Sequence, residues 1–513
     1  MSDIAVAVKS GVQNVQLQPA AENVPRKILI IGTGDPSTEA ANPLDTPILV
    51  TSPEDVADQT GFGFMLHRLA IKSWKGSGGK VETWMIQQAE NTPTQAVGEI
   101  DFTGSTGLLA GTLNLYIAGE AVPVTMTAAM TVEELADAVV AAITANEDLP
   151  ITAVKTAVTF EVVPTAKSGG TYGNDISIAF DLGAGETTQS GITVVITDMA
   201  TGAGLPDIQT ALDSLGTLDD ANENFFTQII ASGYGLDSTT MDAISTYVGE
   251  GTGFVGLWSK IVHRPFTSVF GDVATGSGGL SAIIAIGNGR KNDRANGVIS
   301  VPASNSHPAE IAAQWAGAQE EQAKRNPAVD YNGILLSGVD PGAKADRWNN
   351  SLVNRNTAAL AGVSPTIIKS GAVFIQNSET FYHPASVPVN NNGYKDIVNI
   401  AKLQNINDNL PANFEQSKWN GKTIVDDVTL VGDVIAKADA RDIDAFRNDM
   451  VALLQAFESK AWIAQAAFSI DSLVIAINGG ADGFTSTMNL ILSGNVRVID
   501  MTTSFDTSFA SIA

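Results

Sequence analysis

The sequence lacks cysteine and has very few histidines, and both shortages exclude kinds of chemistry. Without cysteine, the chain has no disulfide framework, no thiolate metal site and no cysteine nucleophile. It contains four histidines, and no two of them stand four residues apart as in a helical metal-binding pair. We therefore expect no metal site and no bound cofactor.

The common catalytic and nucleotide-binding motifs are missing as well. The sequence has neither a G-x-S-x-G nucleophile motif nor the G-x-x-x-x-G-K-[ST] pattern of a P-loop. Gly32–Pro36 lacks the third glycine of a dinucleotide loop, so we interpret it as the turn that ends a strand. The histidines are interpreted as structural: His67, His263, His307 and His383. The sequence thus predicts no catalytic residue and a protein that is not an enzyme.

Basic charge and long apolar runs are also scarce. The chain has 29 Lys and Arg against 55 Asp and Glu, which gives a formal net charge of -26. Nucleic-acid-binding proteins usually carry a basic face, so we expect no nucleic-acid partner. No run of about 18 apolar residues occurs, so we expect no membrane insertion. The first residues also lack the basic and apolar regions of a signal peptide.

What the chain does contain is an alternation of strand and helix patterns over residues 25–97 and 199–376. Ile28–Ile31 is a continuous apolar run typical of a strand buried on both faces. A helix over about residues 64–75 is expected to turn His67, Arg68 and Lys72 to solvent, and Ser281–Ile286 is expected to be a strand. The pattern predicts an α/β core with a mostly parallel sheet and helices on both of its faces.

Residues 98–198 differ from the α/β pattern on either side of them. They contain short strand patterns rich in Thr, Val and Gly. Within them, Thr131 and Glu134 form a capping-box signature before a helix with one apolar face. We therefore predict a β-rich α+β domain that is inserted into the α/β core.

Residues 377–513 are predicted to form an α+β C-terminal domain. A helix over about Tyr394–Asn405 is expected to end before Pro411, and a long helix is expected from Asp442 to about Ala467. Strands are then expected at Ser472–Ile477, Met488–Leu492 and Val496–Ile499.

Both ends of the chain resemble unpaired strands. Residues 1–24 carry alternating apolar residues, and the last residues are strand formers without a proline. Strands of this kind expose unpaired backbone groups and must be covered or paired. We expect the two ends to pair with neighbouring copies of the protein.

Several stretches, in their order along the chain, resemble contractile phage tail sheath proteins, particularly the Mu-like family. The Asn326–Val329 stretch resembles a D-P-A-R-P segment of that family but lacks its arginine. The other stretches are Pro25–Gly32, Gly61–Leu66, Ala110–Gly119 with Gly170–Ile176, Leu335–Val339, Arg355–Val363 and Thr380–Tyr382.

The resemblance implies a structural subunit that polymerises helically around an inner tail tube. In that family, subunits exchange terminal arms as added strands, and the polymer contracts to drive the tube through the host envelope. The implied partners are other sheath subunits, the inner tube protein, and baseplate and tail terminator proteins. The implied location is the virion, after assembly in the host cytoplasm.

The resemblance also assigns candidate residues. Arm candidates are Ile4, Val6, Val8, Val12, Val15, Leu17, Phe505 and Phe509. Candidates for the receiving sheet are Val474, Ile475, Val496, Val498 and Ile499, and candidates for the tube-facing surface are Lys437, Arg441 and Arg447. Two other functions stay open at this point: a receptor- or carbohydrate-binding virion protein, and an α/β hydrolase that uses the insert as a binding module.

Overall fold

The computed structural model describes residues 21–90, 93–157, 160–216, 225–248, 266–385, 393–414, 418–480 and 482–497. These residues divide into two compact units. The first, the α/β unit, comprises residues 25–404 and 495–497, and the second, the C-terminal unit, comprises residues 21–24 and 405–494.

Strands and helices are numbered separately in chain order over the described residues. The strands are β1 Lys27–Thr33, β2 Ile48–Val50, β3 Glu82–Gln88, β4 Gln95–Asp101, β5 Gly111–Ile117, β6 Glu120–Met126, β7 Ile151–Lys155, β8 Val162–Gly169, β9 Ile178–Phe180, β10 Val195–Ala200, β11 Gln228–Ile230, β12 Thr267–Asp272, β13 Asn296–Ser300, β14 Leu335–Leu336, β15 Val363–Lys369, β16 Ala372–Ile375, β17 Thr423–Ile424, β18 Ala440–Arg441, β19 Val474–Ile477 and β20 Phe484–Thr487. The helices are α1 Pro53–Thr60, α2 Met65–Ser77, α3 Val132–Thr144, α4 Ile208–Asp213, α5 Ser238–Val248, α6 Gly276–Gly289, α7 Pro308–Arg325, α8 Leu352–Leu360, α9 Ile397–Phe414, α10 Val434–Asp439, α11 Ile443–Ser459 and α12 Ala466–Asp471.

A nine-stranded sheet forms the centre of the α/β unit, in the order β14-β16-β15-β13-β12-β11-β1-β3-β2. The strands from β15 to β3 in this order are parallel, and the outer strands β14, β16 and β2 are antiparallel to their neighbours. The predicted combination of one large sheet with several helices is confirmed.

The apolar run of β1 is continuous because both faces of this strand are buried. Ile28 and Ile30 pack with residues of α2 and α7, whereas Leu29 and Ile31 pack with residues of α4, α5 and α6. Alternate residues of one strand thus enter two separate apolar clusters, as expected for a central strand of a sheet covered by helices.

Strands β4 to β10 form two smaller sheets, in the orders β10-β4-β8-β7 and β6-β5-β9. Helix α3 begins with the expected capping box, since the Thr131 hydroxyl accepts from the Glu134 backbone N–H and the Glu134 carboxylate accepts from the Thr131 N–H. These elements share an apolar cluster of their own that includes Leu115 and Val139. The predicted domain boundaries stay predictions.

The expectations for Ser281–Ile286 and for the helix before Pro411 are wrong. Ser281–Ile286 lies in helix α6 and not in a strand, because a short apolar run does not distinguish a strand from a helix. In addition, α9 continues through Pro411 to Phe414. That proline is the fourth residue from the helix end, so the hydrogen bond that its missing N–H removes lies in the last two turns of the helix.

The C-terminal unit is built on α11. Asp442 caps this helix by accepting from the backbone N–H of Ala445 at 2.8 Å. Its apolar face is buried as the periodicity predicted, but the helix ends at Ser459, and α12 is separate from it. A residue with a left-handed backbone, Ala461, and the buried Trp462 lie between the two helices.

The strands predicted after α12 are only partly present. β19 lies within the expected Ser472–Ile477 stretch, but its partner β20 was not expected, because Phe484–Thr487 has one apolar residue and gives a weak strand signal. Met488–Leu492 makes an isolated bridge through Leu492 instead of a strand. Val496 lies outside any strand as well, and Val498 and Ile499 lie outside the described residues.

Helices α2 and α7 approach each other closely at two glycines. A Cβ atom on Gly317 would stand 2.2 Å from the backbone oxygen of Ser73, and one on Gly76 would stand 2.1 Å from that of Gln314. Both neighbours are backbone atoms of a helix and cannot move aside alone. The glycines are therefore required by the distance between the two helices.

We predict that Gly317→Ala destabilises the α/β unit, although alanine favours a helix by about 1 kcal/mol relative to glycine. Overpacking at such a contact typically costs about 1–3 kcal/mol. Gly278→Ala in α6 is the matched control, because its Cβ would meet no atom within 4 Å. Urea unfolding should show a lower midpoint for Gly317→Ala alone, and equal midpoints would contradict the close helix contact.

Candidate functional site

The described histidines are held by hydrogen bonds within the protein. Nδ1 of His67 accepts from the backbone N–H of Gly63 at 2.9 Å, and Nε2 of His307 lies 2.9 Å from the carbonyl oxygen of Tyr172. His383 has Nδ1 2.7 Å from the carbonyl oxygen two residues before it. Burial lowers the pKa of His67 and of His383. These contacts support the structural interpretation, while His263 lies outside the described residues.

A cavity of about 330 Å³ lies near the carboxyl ends of β11 and β12, where many α/β proteins bind ligands. Its lining includes Thr171, Tyr172 and His307, whose ring is bonded as described above. It also includes Ser232, whose hydroxyl donates to the carbonyl oxygen of Ala309 at 2.8 Å. Its buried carboxylate, on Asp272, accepts from the Ser300 hydroxyl at 2.6 Å, and burial raises the pKa of Asp272 to about 6. Because these groups bind other parts of the fold, they do not form a nucleophile and base, and the hydrolase alternative gains no support.

Within the described residues, no three His, Asp or Glu side chains are arranged to hold a metal ion. Over the same residues, no helix has both the length and the apolar content needed to cross a bilayer.

A buried charge cluster in the α/β unit surrounds Arg68. Arg68 donates from Nε and Nη2 to the two carboxylate oxygens of Glu310, at 2.7 and 2.8 Å. It donates from Nη1 and Nη2 to the two oxygens of Glu120, at 3.0 and 2.9 Å, and from Nη1 to the carbonyl oxygen of Asp148 at 3.0 Å. All five N–H groups of the guanidinium are thus satisfied.

Lys72 completes this cluster, one helical turn after Arg68 on α2. Its ammonium nitrogen lies 2.6 Å from a Glu120 oxygen and 3.3 Å from a Glu310 oxygen. Two cations and two carboxylates therefore balance each other. This balance matters because an unpaired charge is expensive to bury.

The prediction that α2 presents a solvated basic face is wrong. Arg68 is 0% exposed, and His67 and Lys72 are buried as well. The physical reason is that this side of α2 is covered by Glu120 and Asp148, which come from the region after β4. A periodicity argument assigns polar residues to solvent and does not detect a distant carboxylate.

The electrostatics of the cluster favour the ionised forms. Burial by itself raises the pKa of Glu310, but the charges of Arg68 and Lys72 outweigh it and hold this pKa at about 2. Burial lowers the pKa of Arg68, whereas the carboxylates of Glu310 and Glu120 raise it. As a result, the pKa of Arg68 lies well above its usual value. The cluster thus joins α2, α7 and the region of β4 to β10 through paired charges.

The hairpin of β19 and β20 is the candidate assembly site of the C-terminal unit. In the described part of the chain these two strands pair only with each other, from Val474 opposite Thr487 to Ile477 opposite Phe484. A sheet of two strands has two open edges, and each edge presents backbone donors and acceptors that an added strand can use.

The inner face of this hairpin is anchored in the core of the C-terminal unit. Phe484 stacks on Phe446 of α11 with ring centroids 5.1 Å apart, and Trp419 meets Phe484 edge-on at 5.9 Å. Ile475 packs against the same cluster, while Val474 is exposed. An isolated two-stranded hairpin is marginally stable, so this anchoring is what holds the two edges in place.

The other sequence-predicted residues are placed differently. Val496 is exposed in the α/β unit, between Asn495, which donates to the Ala328 carbonyl, and Arg497, which pairs with Asp330. It is not part of the hairpin. The arm candidates lie outside the described residues: Ile4, Val6, Val8, Val12, Val15, Leu17, Phe505 and Phe509.

The three tube-facing candidates differ in what they can contact. Lys437 is exposed on α10, and Arg447 is half-buried on α11. Arg441 donates from Nε to the carbonyl oxygen of Lys418 at 2.7 Å, and its guanidinium lies 5.8 Å from the centre of the Trp419 ring. Arg441 therefore has a role inside the unit.

Comparison with known proteins confirms the resemblance seen in the motifs. The chain is 25% identical over 395 residues to a Mu-like prophage tail sheath protein of Haemophilus influenzae. The aligned region covers 76% of this chain and 74% of that protein. The comparison also supports the prediction of a structural protein rather than an enzyme. No protein-family model matches the chain.

A solved structure is similar to the chain as well. The crystal structure of a sheath tail protein from Desulfitobacterium hafniense aligns over 92% of this chain and 98% of its own, with a TM-score of 0.44 and 10% identity.

We predict that Glu310→Ala lowers the free energy of unfolding at pH 7 by about 3–5 kcal/mol, because it leaves Arg68 buried with too little negative charge. The difference in the free energy of unfolding between this variant and the wild type should become smaller as the pH falls from 5 to 2. The ionised Glu310 stabilises the fold above its ordinary pKa of 4.5, and this stabilisation is lost as the pH passes about 2.

The matched control for this prediction is Lys80→Ala, which breaks an exposed pair with Glu321 (3.1 Å) and should cost less than about 1 kcal/mol. Urea unfolding of both variants gives the comparison. Equal costs for the two variants would show that the buried cluster does not determine the stability of the unit.

Proposed function

We propose that this chain is the structural subunit of a contractile tail sheath, which polymerises helically around an inner tail tube. The observation that carries the proposal is the anchored hairpin with two open edges, on a chain similar to a Mu-like tail sheath protein over 76% of its length. By analogy, it acts in the virion of a phage or in a phage-derived injection particle and is assembled in the host cytoplasm.

Strand addition supplies the connection between subunits in this proposal. Terminal residues of neighbouring copies pair with the edges of β19 and β20, so that backbone hydrogen bonds give affinity and alternate side chains give register. Such a contact is head-to-tail. When the rotation between copies does not close into a ring, the contact produces an open helical polymer.

Contraction requires that the subunits repack while their links persist. Paired strands act as the permanent links, and the compact units move as rigid bodies between an extended and a shortened arrangement. The free energy is stored at assembly, so the cycle needs no nucleotide. Inner tube, baseplate and terminator proteins are the proposed partners at the inner surface and at the ends of the polymer.

We predict that removing residues 1–20, or removing residues 500–513, abolishes polymer formation and leaves a folded monomer. Each truncation removes proposed donor strands but retains every described residue. Circular dichroism should therefore still show a folded protein, and the thermal midpoint should move by less than about 4 °C, which corresponds to roughly 1 kcal/mol. Negative-stain microscopy and sedimentation of the purified proteins give the measurement.

The intact chain is the control and should form tubes or helical sheaths at high concentration or on added inner tube. Ordered tubes from either truncated protein would contradict strand exchange. An intact chain that stays monomeric under both conditions would contradict the sheath function itself.

We also predict that Lys437→Glu weakens attachment to the inner tube up to about tenfold at 0.1 M salt, and less at 1 M, because exposed charges are screened. Lys344→Glu, at another exposed lysine, is the matched control for the change in net charge. Co-sedimentation with preformed tube measures both variants. If the Lys437→Glu and Lys344→Glu variants bind the tube equally well, Lys437 is not part of the tube-facing surface.

A further inference from the structure

The last described residues of the chain return to the α/β unit. Residues 405–494 belong to the C-terminal unit, but the chain from Asn495 onward belongs to the α/β unit. Asn495 donates from Nδ2 to the carbonyl oxygen of Ala328 at 2.8 Å, and Arg497 donates from Nε to Asp330 at 2.5 Å. The two contacts have the same separation of 167 residues, so residues 495–497 lie alongside residues 328–330 in the same direction.

Arg497 is the central contact of this segment because it bridges two carboxylates. Besides Asp330, which follows α7, it binds Asp396, the residue before α9, with Nη1 2.7 Å from a carboxylate oxygen. The side chains of Arg497 and Asp330 are only 22% and 12% exposed. Charge-assisted hydrogen bonds of this kind are stronger than neutral ones, and partial burial reduces their screening by salt. Two separate parts of the α/β unit thus hold one guanidinium.

Asn495 is the second contact, and both ends of its amide are used. While its nitrogen donates to Ala328, its oxygen accepts from Nζ of the buried Lys402 at 3.3 Å. Val496, between the two contacts, is 82% exposed. The segment is therefore held by the side chains of residues 495 and 497.

The charges around this contact are complementary to Arg497. Burial raises the pKa of Glu379 to about 7, and Lys395, 3.2 Å away, and Arg497 both lower it. Burial lowers the pKa of Lys402 to about 8, and the two aspartates that bind Arg497 raise it. These interacting groups are three carboxylates and, without Arg497, two ammonium groups: Asp330, Asp396, Glu379, Lys395 and Lys402. Arg497 therefore supplies the third positive charge.

We propose that Asp330 and Asp396 are the anchor of the C-terminal arm: they hold the 495–497 segment of their own chain, so that the residues after Arg497 leave from the α/β unit. An arm that starts at this anchor and pairs with the β19–β20 hairpin of the next copy connects the α/β unit of one subunit to the C-terminal unit of its neighbour. A fixed starting point also lowers the entropy that the arm loses on pairing. The role in the polymer rests on the proposed sheath function, whereas the anchor itself does not.

The absence of cysteine allows the anchor to be tested in the full-length chain, because introduced thiols are the only ones. Val329 and Val496 lie between the two contacts and are both exposed, Val329 at 44%. Val329→Cys combined with Val496→Cys, treated with a short bis-maleimide in dilute solution, should give a link within one chain. Mass spectrometry of the digested monomer band detects it, and neither single variant should give it. A double variant without this link, or linked only between two chains, overturns the anchor.

Polymerisation of the linked protein separates the anchor from the sheath function. The linked chain should polymerise as well as the same variant without the cross-linker, because its own segment occupies the anchor in the polymer. If only the unlinked variant polymerises, the segment must leave its own copy during assembly, and the proposal is wrong. If the link forms but neither this variant nor the wild type polymerises, the anchor is supported and the sheath function is contradicted.

A second measurement does not depend on cross-linking. Arg497→Ala should raise the protein concentration needed for polymerisation at least about tenfold, because the arm then has to be ordered from a free starting point. Arg497→Lys keeps the charge and should have a smaller effect. Arg325→Ala, at an exposed arginine outside the anchor, is the matched control for the loss of charge and should leave the concentration unchanged. Equal concentrations for Arg497→Ala and Arg325→Ala would overturn the proposal, and the cross-link decides if Arg497→Ala does not fold.

Discussion

The desolvation of one guanidinium is the constraint on which the α/β unit depends. Arg68 has no contact with water, so each of its five N–H groups needs an acceptor from the protein. Glu310 comes from α7, and Glu120 and the carbonyl oxygen of Asp148 come from the region of β4 to β10. Segments that lie far apart in the sequence must therefore meet in one geometry before the charge can be buried.

The glycine contact between α2 and α7 makes that geometry possible. Gly76 lies eight residues after Arg68, and Gly317 lies seven residues after Glu310, so each is about two turns along its helix from the ion pair. Because these positions lack a Cβ, the two backbones come close enough for the bidentate pair to form with normal distances. Close packing and charge pairing thus require each other, which favours a single arrangement of the two helices.

The sequence predicted the features that depend on local periodicity and capping. β1, the capping box of α3 and the apolar face of α11 were all correct, because each follows from residues within a few positions of one another. The predictions from the sequence were wrong where residues far apart in the chain determine whether a side chain is buried. Arg68 and Lys72 were assigned to solvent because the carboxylates that bury them stand at least 48 residues away. For β20 the cause is different: most of its residues face solvent, so its composition carries little strand signal.

The two units also differ in the size of their sheets and in how many strands have an open edge. In the α/β unit, each parallel strand of the large sheet has a neighbour on both sides, and the buried charges around Arg68 are paired. The C-terminal unit has two sheets of two strands each in the described residues, and three exposed apolar residues at 430–435. A small sheet with open edges is stabilised by each strand that it gains. The large sheet can therefore keep its strand pairing unchanged while the small sheets of the C-terminal unit accept further strands at their open edges.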